Sequence, residues 1–141
     1  MKTTLNFKNV KRKWYVVDAK GKTLGHLAVG VTRKLTGKDA VDYTPGVDSG
    51  NFIIILNASK IEVTGDKAKS KIYYRHSGYK GNMRETSLGQ KLMTRPLDPL
   101  RLAISGMLPK NKLRKRYMMR LKLYEGAEHD HEAQKPEILE L

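Results

Sequence analysis

The hydrophobic pattern near the start of the chain predicts a strand followed by an amphipathic helix. Trp14–Asp18 is rich in aromatic and β-branched residues, as strands are, and residues 19–22 have the composition of a turn. After Thr23, which can cap a helix, apolar residues recur at intervals of three and four as far as Gly37. The apolar face of this helix is formed by Leu24, Leu27, Ala28, Val31 and Leu35.

The pattern continues to mix strands and helices to the end of the chain. The uninterrupted apolar run Phe52–Leu56 predicts a strand that is buried on both faces, as in a parallel sheet covered by helices. Residues 77–82 form a glycine-rich loop, and Asp98 and Pro99 mark the cap and first turn of a helix. A single α/β domain follows from this mixture. The remaining elements are predicted as strands at 61–65 and 71–75, helices at about 87–94, 98–107 and 111–121, and an extended segment at 122–124.

The charge of the chain reduces the number of functions that this domain can have. Residues 1–124 hold 27 basic and 8 acidic side chains, a net charge of +19, whereas residues 125–141 hold one basic and six acidic side chains. A compact body this positive repels itself unless a polyanion is nearby, and nucleic acid releases counterions when its phosphates are neutralised. We therefore expect a nucleic-acid-binding protein with a basic arm at 1–13, an α/β body at 14–124 and an acidic tail at 125–141. From charge alone, a membrane surface or a merely basic enzyme stays open.

Several other classes of protein are disfavoured by composition. The chain has 141 residues and no cysteine, so it holds neither disulfides nor thiolate metal sites. Its longest apolar run, Phe52–Leu56, is far shorter than the roughly 20 residues that span a bilayer. The basic N-terminus is not followed by the apolar stretch of a signal peptide. A cytoplasmic protein is expected.

Two segments have some of the features of catalytic or metal sites. Residues 21–23, Gly-Lys-Thr, follow a strand and open a helix, but a phosphate-binding loop needs a glycine where Val16 stands. His129 and His131 lie among acids, yet no closed set of four zinc ligands accompanies them, so a contact to a partner is the preferred interpretation. We predict no catalysis, no cofactor and no metal site. A small cytosolic enzyme that acts on an anionic or nucleotide substrate through residues 21–23 is the alternative.

Two basic stretches in the first two thirds of the chain predict contacts to RNA. One is the arm, residues 8–13. The other is residues 67–84, which contain no acid and interleave their cations with His76 and three tyrosines. Stacking of a base on an aromatic side chain is worth roughly 1–3 kcal/mol, so this mixture favours RNA. One of Tyr73 and Tyr74 is expected to be buried.

A third basic stretch, residues 110–122, places seven cations in thirteen residues and contains no acid. Leu113, Tyr117 and Leu121 recur every four residues, so one stripe of the predicted helix packs while its cations face a partner. The sequence has no DNA-reading motif and no signature of a small RNA-recognition module. It therefore predicts a protein that clamps folded RNA by shape and phosphate. The candidate RNA-binding residues are Lys11, Arg12, Lys13, Lys22, Lys38, Lys67, Lys69, Arg75, His76, Tyr79, Lys80, Arg84, Lys110, Lys112, Arg114, Lys115, Arg116, Arg120 and Lys122.

Short motifs distributed along the chain carry a resemblance to a known family. They include WYVVDA at 14–19, GKTLG at 21–25, KIYYRH at 71–76, GMLPK at 106–110 and LKLYEG at 121–126. From about residue 11 onward the sequence resembles the family of the thirteenth protein of the large ribosomal subunit, in its bacterial form. The resemblance implies a three-layer α/β/α domain around a small, mainly parallel sheet. It also implies binding to large-subunit ribosomal RNA, neighbouring ribosomal proteins as partners, a role early in subunit assembly, and no catalysis or cofactor.

The sequence departs from the family pattern at four positions. His26 stands where arginine is usual, Gly46 where histidine or asparagine is usual, and Ser105 where lysine is usual. These three changes remove possible RNA contacts, whereas Arg114 replaces a glycine and adds one. A ribosome of the bacterial cytoplasm is expected, with a bacterial-type organelle as the alternative.

Overall fold

The computed structural model describes residues 10–41 and 43–141, so the predictions for residues 1–9 of the arm lie outside the described residues. The strands are β1 (Trp14–Asp18), β2 (Phe52–Leu56), β3 (Ile72–His76), β4 (Met83–Ser87), β5 (Leu121–Leu123) and β6 (Glu137–Ile138). The α-helices are α1 (Leu24–Thr36), α2 (Lys67–Ser70), α3 (Leu88–Thr94), α4 (Leu97–Met107) and α5 (Leu113–Met119). No helix in these two ranges is long and apolar enough to cross a membrane.

A four-stranded parallel sheet in the order β5-β2-β1-β6 forms the centre of the molecule. The two inner strands, β1 and β2, align Trp14 with Phe52 and Asp18 with Leu56. The middle three residues of β2 are fully buried, because neighbouring strands flank β2 on both edges and other segments cover both faces of the sheet. The predicted α/β domain with a mainly parallel sheet is therefore confirmed.

Helices cover one face of this sheet. Alternation along the strands places Val17, Ile53 and Ile55 on the same face, and these side chains belong to one core cluster. The apolar stripe that predicted α1 supplies the opposing side of the cluster, and α4 and α5 add to it. The helical members of the cluster are Leu27, Ala28, Val31, Leu35, Leu100, Ile104 and Tyr117.

The opposite face of the sheet is covered by the chain that follows β5. The rings of Trp14 and Phe52 stack with their centroids 4.3 Å apart, and His131 lies 5.2 Å from Trp14. Ile54, on the same face, is fully buried. The covering layer includes a short 3₁₀ turn at Glu132–Gln134.

The end of the predicted acidic tail, residues 137–141, is part of the fold. Strand β6 pairs in parallel with β1, and the amide of Leu139 donates to the carbonyl of Val16 at 2.9 Å. Leu139 packs against the core, and the side chain of Leu141 lies over Gly30. Composition marked this segment as acidic, but a strand of two residues leaves no hydrophobic period to detect.

Several other elements differ from the sequence prediction. Residues 61–65 make only one isolated bridge, between Glu62 and Thr23. Strand β4 was not predicted, because its sequence, Met-Arg-Glu-Thr-Ser, has few strand-forming residues and depends on antiparallel pairing with β3. Helix α5 ends at Met119 rather than at residue 121, and α4 begins at Leu97, with Pro96 as its cap and Asp98 inside its first turn.

Candidate nucleic-acid interface

The side chain of Asp48 joins two basic segments of the protein. Arg12, in the arm, donates from Nη2 to the backbone carbonyl of Asp48 at 3.1 Å and to its Oδ2 at 3.3 Å. Arg120, between α5 and β5, donates from Nη1 to Oδ2 at 2.7 Å and from Nη2 to Oδ1. This bidentate pair is the strong form of an arginine–carboxylate contact. The carboxylate thus ties the arm and the end of α5 to the loop before β2.

Burial and charge act in opposite directions on this carboxyl group. Burial raises the pKa of Asp48, but the hydrogen bonds from Arg120 and the charges of Arg120, Arg12 and Arg116 outweigh it. The pKa therefore lies below its ordinary value, and Asp48 is ionised at neutral pH. The loop itself is fixed by Gly50, where an added Cβ would lie only 1.6 Å from the carbonyl oxygen of Leu35.

The expectation that Arg120 lies away from the packed face is wrong. Arg120 is only 6% exposed. Besides binding Asp48, its guanidinium donates to the Leu35 carbonyl at 3.4 Å and lies over the ring of Tyr117. The prediction failed because α5 ends at Met119 rather than at residue 121, so Arg120 is not on the outer surface of that helix. Leu121, expected on the same helical stripe as Tyr117, is buried in β5 instead.

Arg114 also makes contacts within the protein. Its Nε donates to the carbonyl of Pro109 at 3.3 Å and its Nη2 to that of Leu108 at 3.1 Å. These carbonyls lie just beyond the end of α4, and that of Pro109 also accepts from the amide of Asn111 at 2.9 Å. The added arginine therefore has a structural explanation. Four other candidates on and before α5 are exposed: Lys110, Lys112, Lys115 and Arg116.

Strands β3 and β4 form a separate antiparallel ribbon that carries the second basic stretch. Tyr73 is partly buried, and its ring lies beneath Lys91 at 4.2 Å and Lys71 at 5.5 Å from Nζ to centroid. Burial raises the pKa of the Tyr73 phenol. Tyr74 and Tyr79 are 62% and 77% exposed. Neither tyrosine of the Tyr73–Tyr74 pair is fully buried, and Tyr73 is the less exposed.

Lys91 was missed by the sequence prediction. It lies on α3 and reaches the ribbon only because β4 brings the two elements together, so no local pattern marks it. Arg101, on α4, was also missed; it is exposed and lines a groove with Met119 and Lys122. Both residues add positive charge beside predicted sites.

The structure places the other candidates as follows. Lys13 pairs with Glu137 at 3.3 Å, and its side chain is still 61% exposed. Lys22 and Lys122 are partly buried. The remaining candidates, all exposed, are Lys11, Arg12, Lys38, Lys67, Lys69, Arg75, His76, Tyr79, Lys80 and Arg84.

The other three departures from the family pattern, His26, Gly46 and Ser105, also have local surroundings that the structure defines. His26 is exposed, and its Nδ1 lies 2.7 Å from Oγ1 of Thr23. Gly46 has φ of +89°, a conformation that glycine adopts without strain. Ser105 is partly buried on α4.

Residues 21–23 and the two histidines at 129 and 131 make contacts within the protein. In the turn before α1, the amide of Gly21 donates to the backbone carbonyl of Lys60 at 3.3 Å, and the amide of Leu24 donates to the backbone carbonyl of Glu62 at 3.0 Å. A phosphate-binding loop would need such amides free. His129 packs near Tyr124, with 6.4 Å between ring centroids, and His131 packs near Trp14. Within the described part of the chain, no group of three or more metal-ligating side chains occurs.

These features define the class: a small α/β protein with a strongly basic surface on its arm, its ribbon and α5. Residues 12–130 match the family of ribosomal protein L13, and the chain belongs to that family. Its proteins are structural components of the large ribosomal subunit and not enzymes, so the enzyme alternative has no support.

Curated relatives match nearly the full chain. "Large ribosomal subunit protein uL13" of Symbiobacterium thermophilum is 55% identical over 136 residues, which cover 96% of this chain and 95% of the relative. The proteins of the same name from Methylococcus capsulatus and Syntrophus aciditrophicus are 51% and 48% identical, each over 94% of this chain and 93% of their own length.

Proposed function

We propose that this single-domain protein binds large-subunit ribosomal RNA within the large ribosomal subunit and helps early assembly of the subunit. The observation that carries this proposal is the cationic segment at the start of α5. Lys110, Lys112, Lys115 and Arg116 are exposed, and none of them forms an ion pair with an acid among residues 10–41 and 43–141. Phosphate is the ligand that such a surface suits.

The proposed contacts come from the exposed members of the predicted set. The arm and α5 meet near Asp48, because Val10, Arg12, Leu113 and Arg116 line one cleft there. RNA that follows this cleft would meet cations from both segments. Arg120 and Arg114 support this surface from within the protein, through the carboxylate of Asp48 and through backbone carbonyls, respectively.

Neighbouring ribosomal proteins are the proposed second class of partner. The relatives are named as proteins of the large ribosomal subunit. Ile138, on β6, is 84% exposed although it lies in the sheet, and Met93 is 89% exposed. Because β6 is an edge strand of the parallel sheet, Ile138 is the proposed point of contact to such a protein.

Co-sedimentation tests the proposal. The parent protein is expected to sediment with purified large subunits at low salt. A variant with Lys110, Lys112 and Lys115 changed to glutamine is expected to bind deproteinised large-subunit ribosomal RNA more weakly. Changing the exposed residues Lys20, Lys60 and Lys135 to glutamine is the control of equal charge loss outside the proposed interface. Equal loss of affinity in both variants would contradict a specific α5 contact, and a parent protein that stays in the supernatant would contradict the function.

A further inference from the structure

The ribbon of β3 and β4 places two arginines directly opposite each other. In its antiparallel register, Arg75 pairs with Arg84, flanked by the pairs Tyr74–Glu85 and His76–Met83. Like charges in opposite positions destabilise a strand pair, and an isolated two-stranded ribbon is marginally stable in water. Both arginines are exposed, and neither forms an ion pair with an acid in the described ranges. The free ribbon thus carries an uncompensated repulsion.

The surroundings of the pair increase this positive charge. Side chains alternate along a strand, so Tyr73 and Arg75 share a face with Arg84 and Thr86. Lys91 and Lys71 lie over the ring of Tyr73. Glu85, the acid of β4, lies on the opposite face by the same alternation.

We propose that Arg75 and Arg84 form a clamp for one phosphate group of the RNA backbone, and that the bound phosphate stabilises the ribbon. This inference rests on the RNA-binding function proposed above. Opposite residues in an antiparallel pair have Cβ atoms about 4.5–5.5 Å apart, which lets two long side chains converge on one anion. Each guanidinium offers parallel donors that match phosphate oxygens. A bound phosphate replaces the repulsion between the arginines by two attractions.

The clamp predicts opposite effects on the free and the bound protein. Arg84→Gln relieves the repulsion, so amides of β3 and β4 should exchange with deuterium about two- to fivefold more slowly in the free full-length protein. The same change removes half of the clamp, so affinity for large-subunit ribosomal RNA should fall roughly tenfold. A residue that only supports the fold would not change these two quantities in opposite directions.

The control is Lys80→Gln in the loop of the same ribbon. Lys80 is exposed and lies outside the paired register, so its loss removes one charge without relieving a cross-strand repulsion. It should leave amide exchange unchanged and weaken RNA binding about two- to threefold. In the double variant Arg75→Gln/Arg84→Gln, affinity for ribosomal RNA should fall by less than the product of the two single effects, because both arginines bind the same phosphate.

The experiment combines hydrogen exchange with filter binding, using large-subunit ribosomal RNA and, in a separate arm, inorganic phosphate. RNA should protect the ribbon in the parent but not in the double variant, whereas α1 should exchange equally in both as a check of folding. Affinity losses equal to that of Lys80→Gln, or faster exchange in Arg84→Gln, would overturn the clamp while leaving RNA binding intact. Full protection by inorganic phosphate, with no further effect of RNA, would overturn its assignment to the RNA backbone. A parent protein that binds no ribosomal RNA would overturn the proposed function itself.

Discussion

At the residue scale, Asp48 determines which basic side chains are free to meet an anion. It lies in a loop without secondary structure, and the hydrophobic pattern gives no reason to single it out. Yet its carboxylate binds Arg12 and the buried Arg120. Lys112 and Lys115, which are close to Arg120 in sequence, stay exposed. Such a partner is set by tertiary packing, which explains why sequence reasoning placed Arg120 on the outer surface.

Removing the charge of Asp48 should strongly destabilise the protein. Asp48→Asn leaves the guanidinium of Arg120 buried without an anion, a change that costs about 3–5 kcal/mol of unfolding free energy in comparable pairs. Asp39→Asn is the matched control, since Asp39 pairs with Lys34 nearer the surface. There the expected loss is below about 1 kcal/mol. Urea unfolding of both variants provides the measurement, and equal losses would contradict a special role for Asp48.

The low pKa of Asp48 also predicts a pH dependence. Because the folded-state pKa lies below the unfolded value of about 3.9, the stabilisation is fully present above that value. It is lost as the pH falls through the folded-state pKa. Thermal melts of the parent and Asp48→Asn between pH 7 and pH 2 should therefore converge at the acidic end. A gap in melting temperature that stays constant across this range would show that the charge of Asp48 is not responsible.

At the element scale, the accuracy of the sequence prediction follows the source of each element's stability. β1, β2 and α1 carry their own hydrophobic pattern, and their predicted positions agree with the structure to within a residue or two. β4 and β6 form because a partner strand is present, so neither left a local pattern. The basic stretches were visible from charge alone, but the ends of the elements decide which of their cations face outward.

The cations of α5 and Arg120 should behave differently although they are close in sequence. Changing Lys110, Lys112 and Lys115 to glutamine relieves like-charge repulsion, so the free protein should melt no lower than the parent. Arg120→Gln should lose roughly 3 kcal/mol of unfolding free energy, because it removes the bidentate partner of Asp48. Calorimetric melts of both variants compare the two cases. If the triple variant melts far below the parent, those lysines hold the fold rather than face RNA.

The acidic C-terminal segment should contribute to folding but not to RNA binding. Deleting residues 135–141 removes β6 and Leu139, so the melting temperature should fall. Changing Glu137 and Glu140 to glutamine keeps the strand and removes only negative charge, and affinity for ribosomal RNA should stay the same or rise slightly. A tenfold loss of affinity in this double variant, about 1.4 kcal/mol, would show that the acids contact the RNA side of the interface.

At the scale of the whole molecule, the segments that form the packed core differ from those that carry most of the exposed positive charge. The parallel sheet and its two covering layers form one packed body, and the arm, the ribbon and α5 carry exposed cations on it. With 28 basic and 14 acidic side chains, the free protein is strongly self-repelling. Binding to a polyanion relieves this repulsion. Membership of the ribosomal protein L13 family makes large-subunit ribosomal RNA the polyanion to test.

The salt dependence of ribosomal RNA binding tests this account most directly. If the protein neutralises six to ten phosphates, the logarithm of its association constant should fall with the logarithm of salt concentration by roughly 0.7–0.9 per contact. Between 50 and 200 mM salt, affinity should then fall by about 10³–10⁵. A filter-binding titration over this range gives the slope, and a nearly flat line would contradict a phosphate-binding interface.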